Sequence, residues 1–311
     1  MNNFVGFLGL LSILGLSFLF SFTPLDNESD FFSLDSTSGF NSSESLPEIY
    51  KVYALDLPTR LDFARERVPL HRLDIRERLD RELLVNTYWQ SNALLLIKKS
   101  AKYFPIITPI LKKYGVPDDF KYLAVIESGL SQVVSPARAS GFWQILSGTG
   151  KEYGLEVNAN VDERFHIEKS TEAACKYLLK SKETLGSWTL AAAAYNAGNR
   201  GVSRRLKNQQ VKSYYDLLLS EETSRYVFRI LALKQILRNP KAFGFHFEQK
   251  HLYKMPKTYE ITIDSPIANL ASFAKKYDMT YQELKTHNTW LRENHLNNSS
   301  RKKYKIKILK K

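Results

Sequence analysis

Between residues 74 and 238, apolar residues recur at three- and four-residue intervals with charged residues between them, which is typical of amphipathic helices. This spacing predicts helices over residues 74–99, about 105–114, 117–128, 170–185, 187–195 and 221–238. A convincing alternation of apolar and polar residues, which would predict a strand, is absent from residues 70–240. The main part of the chain is therefore predicted to be all-α, with a longer irregular segment from about Gly129 to Phe165.

Signals for helix ends support two of these boundaries. Gly115 follows the second segment and suits the position just after a helix C-terminus. Pro117, followed by Asp118 and Asp119, suits the first turn of a helix, because a missing N–H costs nothing there and acids complement the dipole. We expect one helix to end near Tyr114 and the next to begin at Pro117.

The last fifty-odd residues follow a different period. Residues 259–263 and 304–308 alternate apolar and polar side chains, which predicts two strands. Between them, Ser265-Pro266 is predicted to open one short helix, and the capping box of Thr280 and Glu283 a second. The C-terminal part is therefore predicted to be a small β-α-α-β module.

The N-terminal region begins with an unbroken run of apolar, Gly and Ser residues from 4 to 22. As a helix it would span roughly 28 Å, close to the hydrocarbon thickness of a bilayer. We interpret residues 1–25 as a signal peptide or a membrane anchor, two alternatives that stay open because the basic n-region and the cleavage site are weak. Both predict export to the cell envelope (periplasm), and the lack of a nearby cysteine excludes a lipoprotein anchor.

Charge divides the chain into unlike parts. The 311 residues hold 45 Lys and Arg against 32 Asp and Glu, a net charge of +13. Residues 26–50 hold six acids and no basic residue, which is typical of a flexible linker. Residues 51–311 therefore carry +19, which favours an anionic partner. Export makes the anionic cell envelope a better partner than nucleic acid. We assign residues 51–250 to the main domain and residues 257–311 to the module.

Composition excludes several classes of chemistry. Hydrophobic residues make up 43% of the chain, enough for one sizeable core and a small extra domain. The single cysteine, Cys175, excludes an internal disulfide and an all-cysteine zinc site, and we expect it to be a buried helix thiol. The six histidines form no pair at ligand spacing, so neither a metal nor a cofactor is predicted.

One acidic residue stands out as a candidate for proton transfer. Glu127 directly follows an apolar stretch, residues 123–126. A carboxyl group beside apolar side chains is harder to ionise, so its pKa should rise and keep it protonated near neutrality, as a general acid requires. Taken alone, Glu127 fits an ordinary solvated glutamate at a helix end at least as well.

The motifs around Glu127 change that balance. Glu127-Ser128 is followed by Ser135-Pro136-Ala137 and by a run from Ala139 to Ile145 with the sequence ASGFWQI. Downstream lie AAYNAG at residues 193–198 and EETSRYV at residues 221–227. In this order and spacing, the motifs resemble those of lytic transglycosylases with a goose-type lysozyme-like fold, and among them the membrane-bound murein transglycosylase D group. The likeness covers about residues 74–238.

This resemblance implies a specific reaction on peptidoglycan glycan strands. Such enzymes cleave the β-1,4 bond between N-acetylmuramic acid and N-acetylglucosamine without water and leave a 1,6-anhydromuramoyl end. The matching position, Glu127, would protonate the leaving oxygen and then accept the proton of the C6 hydroxyl. The substrate's N-acetyl group would replace an enzyme nucleophile.

The resemblance also implies which residues line the substrate site. They are polar residues of the matched motifs: Ser128, Ser135, Gln144, Tyr195, Asn196 and Tyr226. By resemblance, the Tyr195 hydroxyl lies near the catalytic carboxyl and Tyr226 borders the cleft, while structural hydrogen bonding remains the alternative for each residue. Phe142 and Trp143 could stack on sugars or pack in the core. Three further acids of the irregular segment and its end are interpreted as surface residues: Asp162, Glu163 and Glu168.

The C-terminal module resembles a LysM domain, which grips glycans containing N-acetylglucosamine. Residues 273–277, 282–284 and 288–291 match its helical part. Asp264-Ser265-Pro266 replaces the usual Gly-Asp-Thr, and residues 297–301 replace the usual glycine-containing turn. Those loops form the sugar groove of LysM domains, so glycan binding by this module stays open.

Two other functions remain compatible with the sequence. A muramidase of the same fold would let water attack and produce reducing ends. A non-catalytic peptidoglycan-binding protein would keep the fold without the reaction, although the intact Glu127, Gln144 and Tyr195 favour an enzyme.

Overall fold

The computed structural model describes residues 52–311. The predicted export segment (1–25) and acidic linker (26–50) lie outside the described residues. The described part opens with a small antiparallel hairpin of β1 (Asp62–Phe63) and β2 (Glu66–Arg67). Within residues 52–311, no helix combines the length and apolar character needed to cross a membrane.

The main domain is helical, as predicted. Its helices in the described range are α1 Leu73–Tyr88, α2 Gln90–Lys113, α3 Lys121–Ser128, α4 Ser147–Glu152, α5 Ile167–Leu185, α6 Trp188–Ala197, α7 Asn199–Gln209 and α8 Glu221–Arg238. Helix α8 runs through the centre and packs against α1, α3 and α6. The thiol of Cys175 is buried in α5, which confirms the expectation. The mainly α fold class is confirmed.

The predicted boundary between the first two helices, near residue 100, is wrong. Helix α1 ends at Tyr88 and α2 begins at Gln90, so the break falls at Trp89. Helix α2 continues through Pro105 and Pro109. Both prolines lie on the exposed side of the helix. Water can therefore hydrate the carbonyl groups that lack an intrahelical N–H partner, which reduces the cost of proline inside a helix.

Other boundaries differ where local signals are short or polar. Pro117 precedes a 3-10 turn, Asp118–Phe120, and α3 begins only at Lys121 rather than at Pro117. Helices α4 and α7 were not predicted. Helix α4 has six residues, two of them glycine, and α7 is polar with Val202 as its one buried residue, so neither carries a strong apolar period.

The predicted β-α-α-β module is confirmed. Its elements are β3 Thr258–Ile263, α9 Leu270–Lys275, α10 Tyr281–His287 and β4 Tyr304–Leu309. The strands pair antiparallel, with Thr258 opposite Leu309. The capping box of Thr280 and Glu283 is present. The first helix begins at Leu270 rather than at Ser265-Pro266, because the side chain of Asn269 provides its N-cap.

The module is docked on the irregular segment of the main domain by backbone hydrogen bonds. The N–H of Asp162 donates to the carbonyl of Trp290, and the N–H of Arg292 donates to the carbonyl of Asn160, each at 2.9 Å. Between them Val161 forms an antiparallel bridge with Leu291. Val161 is 1% exposed and belongs to the apolar core of the module. The two domains therefore share residues 160–162.

Candidate active site

Glu127 is held at the last turn of α3. The preceding five residues, from Tyr122 to Ile126, are buried and fix the helix against the core. Gly129 ends the helix with a φ of 57°, the left-handed conformation that glycine adopts most easily. The Nζ of Lys99 donates to the Gly129 carbonyl at 3.0 Å and so satisfies an unpaired group of the helix end.

The environment of the Glu127 carboxyl favours its neutral form. Burial raises its pKa from 4.5 to about 7, although a hydrogen bond from the Tyr226 hydroxyl and the charge of Arg229 lower it in part. The nearby charge of Glu222 raises the pKa further. Near neutrality the group is therefore divided between its acid and base forms, as a residue that both donates and accepts a proton requires.

Helix α8 supplies the polar neighbours of Glu127 from one face. Glu222, Tyr226 and Arg229 follow the i, i+4, i+7 spacing of a helical stripe. The Tyr226 hydroxyl donates to Oε1 of Glu127, and burial together with Glu127 holds the Tyr226 pKa well above its usual value. Glu222 and Arg229 were not predicted as site residues, although their helical spacing from Tyr226 places them on the same face of α8.

Tyr195 lies beside this site but bonds elsewhere. Its hydroxyl donates to the carbonyl of Trp143 at 2.8 Å. Burial, and then the charge of Glu127, raise the pKa of Tyr195 well above its usual value. The direct tyrosine partner of the Glu127 carboxyl is therefore Tyr226, while Tyr195 ties helix α6 to the loop that carries Gln144.

Gln144 lies in a tight loop, and its side-chain oxygen is available to a ligand. Its φ is 46°, and its Nε2 donates to the carbonyls of Val133 at 3.0 Å and Gly141 at 2.8 Å. Among the described residues, none donates a hydrogen bond to its Oε1. A cavity of about 30 Å³ opens between Gln144 and Tyr195. The side chain is thus oriented by its own loop and can still accept a hydrogen bond.

The other predicted site residues make internal hydrogen bonds. Ser128 donates to the carbonyl of Phe142 at 2.9 Å, and Ser135 accepts from the N–H of Ala139 at 3.1 Å, so both stabilise the loop after α3. Asn196 donates to Oε1 of Glu222 at 3.0 Å. Asn196 therefore acts on the site by fixing the acid that neighbours Glu127.

The aromatic pair of the loop packs in the core. Phe142 and Trp143 are 2% and 0% exposed, so neither presents a face for a sugar. The indole N–H of Trp143 donates to Oγ1 of Thr171 at 2.8 Å. A Cβ at Gly141 would lie 2.0 Å from the carbonyl oxygen of Arg164, so this position requires glycine.

The interpretation of Asp162 and Glu163 as surface acids is wrong. They are 6% and 2% exposed. Asp162 binds the guanidinium of Arg164, which also donates to the carbonyl of Ile145 at 3.1 Å. Glu163 pairs with Lys169 and accepts from the N–H of Glu156 at 2.9 Å. Both carboxylates are retained in the interior because cations and N–H groups compensate them.

Glu168 is partly buried at the contact with the module. Its side chain is 33% exposed and pairs with Lys307 of β4, while Nδ1 of His166 lies 3.2 Å from its Oε2. Burial alone would raise its pKa, but His166 and Lys307 outweigh that effect and lower the pKa to about 2. Glu168 is therefore ionised at neutral pH and serves the contact between the domains.

Within residues 52–311, no group of three or more His, Cys, Asp or Glu side chains is arranged to hold a metal ion. The chemistry that this site supports is proton transfer by Glu127. The nearby Glu222 is held by Asn196.

Two segments of the chain match known protein families. Residues 105–218 match the family profile described as Transglycosylase SLT domain. Residues 259–311 match that of the soluble lytic transglycosylase C-terminal LysM-like domain. The curated protein Membrane-bound lytic murein transglycosylase D of Escherichia coli strain K12 is 30% identical over 226 residues, which cover 69% of this chain and 47% of that protein. The protein of the same name from E. coli O6:H1 gives the same values. The chain thus spans about half the length of the curated relatives it matches.

Proposed function

We propose that this chain, which carries a transglycosylase SLT domain followed by a LysM-like domain, is a peptidoglycan lytic transglycosylase. The observation that carries the proposal is the carboxyl of Glu127, whose pKa burial raises to about 7, inside the segment that matches the SLT profile. Its hydrogen bond with Tyr226 orients one oxygen and leaves the other for a substrate. A single poised carboxyl of this kind suits a reaction in which one residue is first acid and then base.

In the proposed reaction, Glu127 donates its proton to the oxygen of the β-1,4 bond between N-acetylmuramic acid and N-acetylglucosamine. The N-acetyl carbonyl of the muramic sugar supports the carbon from which that oxygen departs. The C6 hydroxyl of the same sugar then attacks this carbon, and Glu127, now a carboxylate, takes the hydroxyl proton. The products are an N-acetylglucosamine end and a 1,6-anhydromuramoyl end, and Glu127 regains its starting state.

The neighbours of Glu127 support different parts of this cycle. Tyr226 stabilises the carboxylate that forms after proton donation, since a hydrogen bond to the charged form lowers its energy. Gln144 offers Oε1 to an N–H or hydroxyl of the glycan. Asn196 holds Glu222. Ser128 and Ser135 shape the loop rather than contact the sugar.

The proposed location is the cell envelope. The names of the curated relatives describe membrane-bound murein enzymes, and the apolar run at residues 4–22 is consistent with export. We propose that residues 1–25 act as a signal peptide or anchor and that residues 51–250 form the catalytic unit. The partner is then peptidoglycan, and the LysM-like module is a candidate second contact with its glycan strands.

Mass spectrometry of the fragments released from purified sacculi tests the proposal. We expect anhydromuramoyl ends from the wild-type chain. Reducing muramic ends, heavier by one water, would instead identify a muramidase. Binding to sacculi without release of any fragment would identify a non-catalytic binding protein.

A further inference from the structure

The loop that carries Gln144 packs against a segment that is also bonded to the module. We call residues 132–145 the Gln144 loop and residues 162–165 the connecting segment. A Cβ at Gly141 would lie 2.0 Å from the carbonyl oxygen of Arg164, so the two pieces of backbone are in direct contact. The position of the Gln144 loop therefore depends on the position of the connecting segment.

Arg164 holds the C-terminal end of the Gln144 loop. Its Nη1 donates to the carbonyls of Arg138 at 2.9 Å and Ile145 at 3.1 Å, and Ile145 directly follows Gln144. Its Nε and Nη2 donate to the carboxylate of Asp162 at 2.9 Å and 2.7 Å. Both charged side chains are buried. Because a guanidinium is planar and its N–H groups point in fixed directions, these bonds hold the end of the loop in one orientation.

Gln132 holds the start of the loop. Its Nε2 donates to the carbonyl of Phe165 at 2.7 Å and to Oγ1 of Thr289 at 3.2 Å. The hydroxyl of Thr289 donates to the same carbonyl at 2.6 Å. The carbonyl of the next residue, Val133, accepts from Nε2 of Gln144 at 3.0 Å. The carbonyl that orients the Gln144 amide therefore directly follows a residue that is hydrogen-bonded to the module.

The module fixes the connecting segment at both of its ends. At the first end, the N–H of Asp162 donates to the carbonyl of Trp290 at 2.9 Å. At the other end, the guanidinium of Arg292 lies 4.0 Å from the centroid of the Phe165 ring. Residues 289–292 of the module thus contact the same segment that holds both ends of the Gln144 loop.

We propose that Arg164 is a positioning residue through which the LysM-like module fixes the Gln144 loop for substrate binding. Gln144 contacts the glycan, whereas Arg164 and Thr289 act through it. The module then contributes to the reaction without binding a sugar itself. The benefit to the reaction rests on the proposed function, which assigns Gln144 to the glycan, but the hydrogen-bonded connection does not.

Two arginine-to-lysine variants of the full chain test the role of Arg164. R164K keeps a positive charge beside Asp162 but lacks the fork of N–H groups that reaches the loop carbonyls. Its KM for soluble glycan strands should rise about tenfold with kcat within about threefold of wild type, because Gln144 binds the glycan but transfers no proton. R138K lies in the same loop and should behave as wild type, since within residues 52–311 its exposed side chain forms no hydrogen bond. Equal KM values for R164K and R138K would overturn the proposal.

A double-mutant cycle distinguishes positioning from a general structural role. In Q144A the contact that Arg164 supports is already lost, so adding R164K should raise KM no further. An equal rise with and without Gln144 would overturn the assignment. R164K should also leave the pH profile of the rate unchanged, because the groups that tune the pKa of Glu127 lie on α8. A shifted profile would mean that Arg164 acts on Glu127 and would contradict the proposal.

Thr289 tests the connection from the module and remains informative if R164K fails to fold. T289V removes the hydroxyl that bonds Gln132 and Phe165, so KM should rise about threefold. T289S keeps the hydroxyl and should retain the wild-type value. T286V is the matched control in α10, where the described part of the chain shows no hydrogen bond from the exposed side chain. Equal KM values for T289V and T286V would contradict the connection.

NMR of the Gln144 side chain separates this proposal from the proposed function. Its amide donates two hydrogen bonds, so its protons should exchange with water at least about threefold faster in R164K and T289V than in R138K and T286V. If wild type releases no anhydromuramoyl ends, the proposed function fails and the exchange rates still decide the positioning. If wild type is active and all four variants match it in KM and exchange, the positioning is refuted and the transglycosylase function stands.

Discussion

Glu127 and Glu168 are carboxyl groups at helix ends, in the last turn of α3 and the first turn of α5, and their surroundings shift their pKa values in opposite directions. Burial raises the pKa of Glu127 to about 7, and the Tyr226 hydroxyl donates a hydrogen bond to its carboxyl. Burial also acts to raise the pKa of Glu168, but His166 and Lys307 reverse the effect and lower it to about 2. Near neutral pH the Glu127 carboxyl can donate or accept a proton, whereas Glu168 stays ionised.

Burial alone therefore does not identify a catalytic acid. What distinguishes Glu127 is that no cation of residues 52–311 forms an ion pair with its carboxyl, since Arg229 reaches the Ile126 carbonyl at 3.4 Å instead. Glu168 has a lysine supplied by the other domain. An isolated carboxyl can exchange protons near neutrality, whereas a paired one stabilises a contact.

The variants E127Q and E168Q should differ most strongly in their digestion of sacculi. E127Q preserves the shape of the side chain but removes the transferable proton, so we expect sacculus digestion to fall about 10²–10⁴-fold. E168Q should retain digestion within about tenfold, because its carboxyl only joins the domains. Fragment release measured for both variants checks this, and an active E127Q would remove Glu127 from the mechanism.

The next effect concerns stability, where the two acids should show opposite pH dependence. The folded pKa of Glu127 exceeds its ordinary value of 4.5, so its contribution is fully present below pH 4.5 and is lost as pH rises through about 7. E127Q should therefore be more stable than wild type above pH 7, by up to about 3 kcal/mol. Chemical unfolding across this pH range measures the difference.

For Glu168 the sign is reversed. Its folded pKa lies below the ordinary value of 4.5, so its contribution is present above pH 4.5 and is lost as pH falls through about 2. Because the side chain is 33% exposed, solvent screening should limit the loss in E168Q to about 1 kcal/mol. Stability changes of E127Q and E168Q in the same pH window would contradict the opposite pKa shifts of the two carboxyl groups.

A smaller effect is expected when the hydrogen bond from Tyr226 to Glu127 is removed. Y226F removes a hydrogen bond that lowers the pKa of Glu127, so that pKa should rise above about 7. Because the protonated acid starts the reaction, the decline of activity at alkaline pH should move upward by about one unit. A pH profile of initial rates shows the shift, and Y195F is the control, since the Tyr195 hydroxyl bonds Trp143 and not Glu127.

Sequence patterns predicted the mainly α fold class and the order of most helices because long helices with a buried face repeat their apolar residues. The predictions failed where the apolar repeat was weak, or where a local helix-breaking residue was tolerated by the fold. Helix α7 buries only Val202, and α2 continues through Pro105 and Pro109 because both face solvent. In each case packing by the rest of the chain decided the structure.

The candidate site was predictable in part. An apolar stretch before Glu127 indicated the raised pKa, and the motifs brought Gln144, Tyr195 and Tyr226 into consideration. Partner choice was not predictable, because it depends on three-dimensional contact: Tyr226 rather than Tyr195 bonds the carboxyl. Sequence likewise could not reveal the buried state of Asp162, since its compensating partner is fixed only after folding.

Val161 lies in the main domain by sequence but packs in the apolar core of the module. The smallest portable form of the module therefore includes the main-domain loop around residues 160–162 as well as residues 257–311. A module transferred without that loop would expose a gap in its core and lose the bridge to Leu291. The folding of the module is therefore coupled to that of the main domain through this loop. A domain exchange that cuts only at the linker before residue 257 would separate the module from part of its core.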